Sequence, residues 1–207
     1  MRIHLLSLFP QYFQGPLDQT TVKKARDRGI LQIECVDVRD FADPPHYKTD
    51  DRPLGKAIQS VYSEEAKVVY MSPQGIPLTA AICRQLAQET HIIVICGHYE
   101  GIDERVIELY VDEEISIGDY VLTDGCLPAM VLINGMARFI PGVIGHPRAV
   151  EEDSLEGGGL DCPHYTRPVV YKGLEVPPVL RSGDHQKISA WREEKAREKT
   201  MRVRPDL

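Results

Sequence analysis

The sequence lacks any apolar run near the roughly 18 residues that a bilayer-spanning helix needs. Its apolar start, residues 3–9, is too short for a secretory signal, and no small-residue cleavage site follows. It also lacks a C-x-x-C pair, which argues against a structural zinc site and a disulfide framework. We therefore expect a cytoplasmic protein whose thiols are buried or half-buried. The five scattered cysteines are Cys35, Cys83, Cys96, Cys126 and Cys162.

Two phosphate-binding patterns are absent as well. There is no G-x-G-x-x-G fingerprint and no G-x-x-x-x-G-K-[ST] loop. A Rossmann dinucleotide site and a nucleoside triphosphatase are therefore both disfavoured. Internal repeats and low-complexity tracts are missing too, so a solenoid is not expected.

The charge balance is acidic overall but uneven. The net charge of −7 over 207 residues argues weakly against a nucleic-acid partner. Residues 187–204, however, hold seven basic and three acidic side chains. This tail is either an RNA-facing element or the solvated face of a helix, and charge alone does not decide between them.

Buried strands alternate with helices along the first two thirds of the chain. Apolar runs typical of strands covered on both faces occupy residues 3–9, 31–38, 67–71 and 91–96, with a weaker one at 120–122. Between them, Pro77 suits a first helical turn, Asp103 a helix cap and Pro128 another helix start. This alternation predicts an α/β fold with a mainly parallel sheet.

The organisation changes after residue 142. Residues 146–160 are rich in Gly and acid and show no period, which is typical of a linker. Asp184 can cap a last amphipathic helix. We therefore divide the chain into a domain at 1–145, a flexible linker at 146–160 and a small, mostly helical domain at 161–207.

Three Gly-rich loops follow predicted strands, at residues 70–75, 96–105 and 116–125. Each by itself is ordinary turn chemistry. In parallel α/β sheets, however, ligands bind outside the carboxyl ends of strands, and glycine lets the backbone approach them closely. Together the loops predict one shared ligand site.

The three loops and the segments that follow them contain specific strings. SPQG, GHYEGIDER, SIGDYVL, RFIPGVIGH and DCPHYTRP, in this order, resemble the bacterial tRNA (guanine-N1)-methyltransferase family, the TrmD family of the SPOUT class. The resemblance covers almost the whole chain. It implies a sheet with a trefoil knot within about residues 67–140, a homodimer with its active site between subunits, and a C-terminal tRNA-binding domain that is shorter than usual here. The implied reaction is S-adenosylmethionine-dependent methylation of guanine N1 at tRNA position 37, beside the anticodon.

The resemblance also assigns residues. The three loops would cradle S-adenosylmethionine, Asp153 would be the general base and Arg138 the cation. Asp161, with Glu100, would orient guanine or bind Mg²⁺, and Asp161, His164, Arg192, Lys195 and Arg197 would bind the tRNA, although His164 fits a structural role equally well. The cofactor-binding residues so implied are Tyr70, Met71, Ser72, Pro73, Gly97, Tyr99, Glu100, Gly101, Ser116, Ile117, Gly118, Tyr120, Leu122 and Gly125.

Guanine chemistry explains why a general base and a cation are both needed. N1 of keto guanine carries a proton, so it is a poor nucleophile until a base removes that proton and positive charge stabilises the anion developing on O6. Asp153 and Arg138 have the required chemistry.

The sequence departs from the family at several points. After Pro53 the usual Gly-rich and Met-rich segment is missing, through a deletion or an omission from the sequence; we favour omission, since that loop is expected to be mobile. Asp124 and Cys126 stand where Gly and Glu are common, so cofactor affinity could differ. Two alternatives stay open: another knotted RNA methyltransferase, and a non-catalytic RNA-binding module of the same fold.

Overall fold

The computed structural model describes residues 1–42, 52–145 and 153–207, without the side chain of Arg52. The chain forms two compact units, Met1–Gly145 and His146–Leu207. No helix in the described ranges is long and apolar enough to cross a membrane.

The first unit is built on a five-stranded sheet in which every neighbouring pair is parallel. The strand order is β2-β1-β4-β3-β5. The α/β prediction with a mainly parallel sheet is therefore confirmed. The strands are β1 (Arg2–Ser7), β2 (Gln32–Asp37), β3 (Ala66–Pro77), β4 (His91–Cys96) and β5 (Glu113–Ser116).

Helices pack on both faces of this sheet and create two hydrophobic cores. Alternate residues of one strand enter opposite cores: Ile92 and Val94 of β4 enter one, and Ile93 and Ile95 enter the other. All six residues of β4 are buried, which explains its unbroken apolar run. The helices are α1 (Thr20–Asp27), α2 (Arg52–Val61), α3 (Ala80–Leu86), α4 (Glu104–Tyr110) and α5 (Cys126–Ala137).

Several boundaries differ from the sequence predictions. The strand predicted at 120–122 is wrong: these residues are irregular and exposed, and the real strand is β5. Hydropathy does not reveal this strand, Glu-Glu-Ile-Ser, because only its last two residues are buried. Pro77 ends β3 instead of opening a helix, and Thr79 caps α3 by accepting a hydrogen bond from Ile82 N. Pro128 lies in the first turn of α5, which begins at Cys126.

The second unit contains a two-stranded hairpin, β6 (Val170–Tyr171) and β7 (Leu174–Glu175), and the long helix α6 (His185–Val203). Asp184 caps α6 as predicted, since its side chain accepts from Lys187 N. Of the predicted linker, residues 146–152 lie outside the described residues. The remainder forms a turn in which Leu155 N donates to Gly159 O and Leu160 N donates to Thr200 Oγ1 of α6.

The cysteines are free, and four of them are buried as expected. The prediction of buried or half-buried thiols is wrong for Cys35, which is exposed. It lies on β2, and β2 is an edge strand that has a neighbour on one side only. An edge position leaves its side chains less covered than those of the central strands.

Candidate functional site

A cavity of about 280 Å³ opens at the carboxyl ends of β3, β4 and β5. All fourteen residues predicted to bind the cofactor line it, and the three Gly-rich loops form its walls. The sheet causes this convergence, because parallel neighbouring strands end at the same edge. The structure thus brings together residues that are up to 55 positions apart, Tyr70 and Gly125 being the outermost.

The loops touch each other so closely that only glycine fits at the crossings. Gly125 N donates a 2.8 Å hydrogen bond to Gly97 O. A Cβ on Gly125 would lie 2.8 Å from Gly97 N and 2.9 Å from Cys96 Cα. A Cβ on Gly75 would lie 2.4 Å from the carbonyl carbon of Glu114. These are backbone clashes, so the path of all three loops depends on the missing side chains.

Hydrogen bonds to serine side chains shape two of the loops. In β3 the pairing register with β5 shifts between Met71 and Ile76, which leaves the SPQG segment bulged toward the cavity. Ser72 Oγ accepts from Gln74 N within that bulge. In the third loop, Ser116 Oγ accepts from Gly118 N and donates to Gly118 O. Each serine therefore satisfies loop backbone that has left the sheet.

The cavity wall contains two further polar residues: His98, to which sequence reasoning gave no role, and Asp124, which it expected to affect cofactor affinity. They form an isolated bridge with each other, and Asp124 Oδ1 accepts a 2.8 Å hydrogen bond from Cys126 N at the start of α5. An aspartate four residues before Pro128 was a usable signal for a helix start. The expected additional charge is thus present in the cavity wall, where its side chain also accepts a hydrogen bond from the first residue of α5.

Thiols lie directly behind this wall. Cys126 Sγ is 3.2 Å from Ser7 Oγ and 3.7 Å from His98 Nε2. A hydrogen bond from the Cys96 thiol is the main cause that lowers the pKa of Cys126 to about 6; burial opposes this effect, and His98 and Ser7 support it. Burial raises the pKa of Cys96 well above its usual value. Cys126 thus brings an ionisable group directly behind the cavity wall.

The two predicted catalytic residues lie in different units. Arg138 is exposed at the C-terminal end of α5, ten residues beyond Pro128 in the cavity wall. At 1.5 Å per residue the two are about 15 Å apart along the helix. Within the described residues, Arg138 is not among those that line the cavity. Asp153 belongs to the second unit and is half-buried there.

The second unit brings the substrate candidates Asp161 and His164 together. His164 Nε2 donates to Asp161 Oδ2 at 2.6 Å. Asp161 N donates to Ser154 Oγ at 2.9 Å, so the segment next to Asp153 contacts the same turn. Burial by itself would raise the pKa of Asp161, but hydrogen bonds from His164 and Cys162 outweigh it and lower that pKa below its ordinary value. This carboxylate is therefore ionised at neutral pH.

The three basic candidates on α6 do not share one face. Arg192 and Arg197 are exposed, whereas Lys195 is half-buried and pairs with Glu198 at 2.7 Å. At about 100° per residue, Arg197 points roughly 140° away from Arg192. A single tRNA backbone therefore cannot contact both of them through one side of the helix.

The predicted Mg²⁺ ligands, Asp161 and Glu100, lie in different units. Within the described ranges, one group of three or more potential metal ligands lies close together, and it consists of Asp161, Cys162 and His164. Mg²⁺ requires oxygen donors in a near-octahedral arrangement, and this group offers oxygen, sulfur and nitrogen. Glu100 lies in the other unit. Dependence on Mg²⁺ stays a prediction.

Comparison with known proteins identifies the family. The whole chain, residues 1–207, matches the family described as tRNA (Guanine-1)-methyltransferase TrmD. A relative from Protochlamydia amoebophila, named tRNA (guanine-N(1)-)-methyltransferase, is 56% identical, and the match covers 100% of this chain and 99% of the relative. Relatives of the same name from Chlamydia muridarum and Chlamydia pneumoniae are each 49% identical over all of this chain. The chain therefore belongs to the TrmD family of methyltransferases.

The lengths of these relatives are informative. The chain spans 62% and 61% of the two Chlamydia proteins, so each has a further region without counterpart here. The alignment with the Protochlamydia protein extends over 220 residues against the 207 of this chain. That relative consequently contains about a dozen residues that this chain lacks.

Proposed function

We propose that the protein transfers the methyl group of S-adenosylmethionine to N1 of guanine 37 in tRNA, beside the anticodon, in the cytoplasm. One observation supports this most strongly: the fourteen residues assigned from family strings converge on one cavity at the strand ends. The membership of the chain in a methyltransferase family gives that cavity its chemistry. We further propose that the chain between residues 67 and 140 is threaded as the trefoil knot of that family.

The cavity suits an adenosine-containing ligand. Its walls combine the apolar side chains of Met71, Ile117 and Leu122 with backbone groups of Gly97 and Gly101 that no side chain covers. Small-molecule sites typically pair apolar walls with a few backbone hydrogen bonds. Bound S-adenosylmethionine would supply an electrophilic methyl group on a sulfonium sulfur. The acidic side chains of Glu100 and Asp124 in the wall favour such a cation.

Asp153 and Arg138 would act on guanine. Asp153 accepts the N1 proton, and Arg138 stabilises the negative charge that develops on O6. An aspartate with an ordinary pKa near 3.9 is a weak base, so the two residues must act together. Target bases must leave their stack for such chemistry, and the turn that hydrogen-bonds to Ser154, next to Asp153, would hold the extruded base.

The exposed face of α5 explains how Arg138 reaches a cavity. Leu127, Val131, Asn134 and Arg138 are exposed at i, i+4, i+7 and i+11, so they form one stripe along the helix. Leu127 and Val131 are each 42% exposed although apolar. If two copies pack this stripe against itself about a two-fold axis, the helices run antiparallel. The partner's Arg138 then lies beside Leu127, the sequence neighbour of the cavity residue Pro128.

Methyl transfer to defined transcripts tests the activity. We expect the protein to methylate a tRNA transcript with guanine at position 37, and not a transcript in which adenine replaces that guanine. Equal labelling of both transcripts would refute the proposed target. Calorimetry with S-adenosylmethionine provides the second readout, since an RNA-binding module without catalytic function would show no heat of binding.

Mixed dimers test the arrangement across two subunits. In a heterodimer of Arg138→Ala with the cavity variant Gly97→Ala, one of the two sites combines an intact cavity with an intact arginine. At an S-adenosylmethionine concentration too low to saturate Gly97→Ala, we expect activity of up to about half that of the wild type, while each homodimeric variant is strongly impaired. An inactive heterodimer would show that the cavity uses the Arg138 of its own chain.

A further inference from the structure

We propose that Asp161, Cys162 and His164 form a binding site for a thiophilic divalent cation of the zinc type. Their carboxylate oxygen, thiol sulfur and imidazole nitrogen atoms all lie within 4.8 Å of one another. This donor set is the one that zinc uses in proteins. The site is separate from the cavity of the first unit, and its occupant differs in chemical class from Mg²⁺.

The turn that presents these donors is braced from several sides. Asp161 N donates to Ser154 Oγ at 2.9 Å, and Cys162 N donates to Asp161 Oδ1 at 2.6 Å. Leu160 N, one residue earlier, donates to Thr200 Oγ1, which itself donates to Ala196 O of α6. Pro163 restricts the backbone between the sulfur and nitrogen donors. The donors are thus held in place by packing as well as by their closeness in sequence.

Small movements bring the donors to ligating positions. Neighbouring ligands of a tetrahedral zinc ion are about 3.5 Å apart, given metal–ligand bonds of roughly 2.0–2.3 Å. The 2.6 Å contact between Asp161 Oδ2 and His164 Nε2 must therefore open by nearly 1 Å. The side chain of His164 is 72% exposed and can rotate to allow this. Because three protein ligands leave one position open, a water molecule completes the set.

Charge and proton balance favour a soft ion. On binding, the Cys162 thiol loses its proton to solvent, and neutral His164 keeps its proton on Nδ1 while Nε2 ligates. The cation then faces one thiolate and one carboxylate, so the site is neutral. Burial and the neighbouring Asp161 raise the pKa of the Cys162 thiol, and Arg192 opposes them. Sulfur ligation selects zinc-type ions over Mg²⁺ and Ca²⁺, which prefer oxygen.

Cobalt spectroscopy tests the site directly, because a thiolate bound to Co²⁺ gives a charge-transfer band that needs no enzymatic turnover. We expect the chelator-treated, reduced full chain to develop this band with saturation at one Co²⁺ per chain, and Zn²⁺ to bleach it. Cys162→Ser should abolish the band, and Cys35→Ser, which alters an exposed thiol on β2, should leave it unchanged.

A second variant keeps the test decisive in case Cys162→Ser misfolds. His164→Asn alters a largely exposed side chain, and it should weaken Co²⁺ binding about tenfold or more while keeping the band at saturation. The proposal is wrong if the wild-type chain shows no charge-transfer band, or if the band persists in Cys162→Ser. Neither result would affect the proposed methyl transfer, which is measured independently.

Discussion

The two units differ in how they are held together. The first has two hydrophobic cores around a parallel sheet, with residues such as Leu5 and Ile93 fully buried. In residues 153–207 of the second unit, the structure buries only Cys162. Its hairpin instead exposes apolar side chains, among them Tyr171 and Leu174, at 62% and 77%.

This difference corresponds to a division of labour. Close loop crossings such as that of Gly97 and Gly125 require a rigid frame, and the sheet supplies one. Elements with few buried contacts open more easily and are the ones that can rearrange around a large substrate. We interpret the first unit as the cofactor platform and the second as the part that handles tRNA and delivers Asp153.

The largest effect should come from removing the base in the second unit. Asp153→Ala should lower methyl transfer about 10²–10⁴-fold, the usual contribution of a general base. Binding of S-adenosylmethionine by the first unit should remain unchanged in calorimetry. Asp206→Ala, an exposed aspartate near the C-terminus, is the matched control and should keep full activity. An active Asp153→Ala enzyme would contradict the mechanism.

A substitution in the first unit should impair binding of the cofactor and leave binding of tRNA almost unchanged. A Cβ on Gly97 would lie 2.9 Å from the buried ring of Tyr70, so Gly97→Ala should weaken S-adenosylmethionine binding about tenfold or more. Filter binding of tRNA should change little. Gly157→Ala is the control, because a Cβ there meets nothing within 4 Å. Normal cofactor affinity in Gly97→Ala would mean that the cavity is not the cofactor site.

A smaller effect should separate the two faces of α6. Arg192 lies close enough to Cys162 to lower its pKa, so it is near the turn with Asp161, whereas Arg197 points away from Arg192. We expect Arg192→Ala to weaken tRNA binding and to reduce the slope of log affinity against log salt by about 1. Arg197→Ala should leave this slope unchanged. The reverse result would place the RNA on the other side of the helix.

The smallest effect concerns the stability of the first unit. His4 Nδ1 and His91 Nε2 lie 2.8 Å apart in a buried pair, and burial is the main cause that lowers both pKa values below 6.5. The unfolded chain then binds protons that the folded chain does not, so stability is complete above pH 6.5 and falls as the pH drops below it. Denaturant titrations from roughly pH 7.5 to roughly pH 5.5, on either side of that value, should show the loss.

A double variant gives the control for this pH effect. His4→Gln with His91→Gln should flatten the dependence, whereas His185→Gln on the exposed start of α6 should not. An unchanged slope in the double variant would assign the effect to other groups. The measurement compares the free energy of unfolding, so it is independent of catalysis.

Much of the fold was predictable from local sequence. Buried runs such as β4 and caps such as Asp103, which accepts a hydrogen bond from Arg105 N, follow from hydropathy and side-chain chemistry. The prediction failed at β5, where two glutamates mask a half-buried strand. It also failed at 120–122, where apolar residues line a cavity instead of a core. In both places tertiary contacts override the local pattern.

The candidate site, too, was predictable only in part. Glycine loops at strand ends predicted a shared cavity because parallel strands end together, and the structure places all fourteen residues there. The pairing of His98 with Asp124, and the gathering of Asp161, Cys162 and His164, depend on how loops fold back on themselves. No spacing rule encodes such contacts, and the roles of Asp153 and Arg138 were inferred from family resemblance.

Mass mapping of the modified nucleoside tests the central claim most directly. After incubation of tRNA with the protein and S-adenosylmethionine, we expect nuclease fragments to contain one added methyl group, on N1 of the guanine next to the anticodon. The product should be absent when Asp153→Ala replaces the wild-type enzyme. A methyl group at another atom, at another position, or none at all would contradict the proposed function.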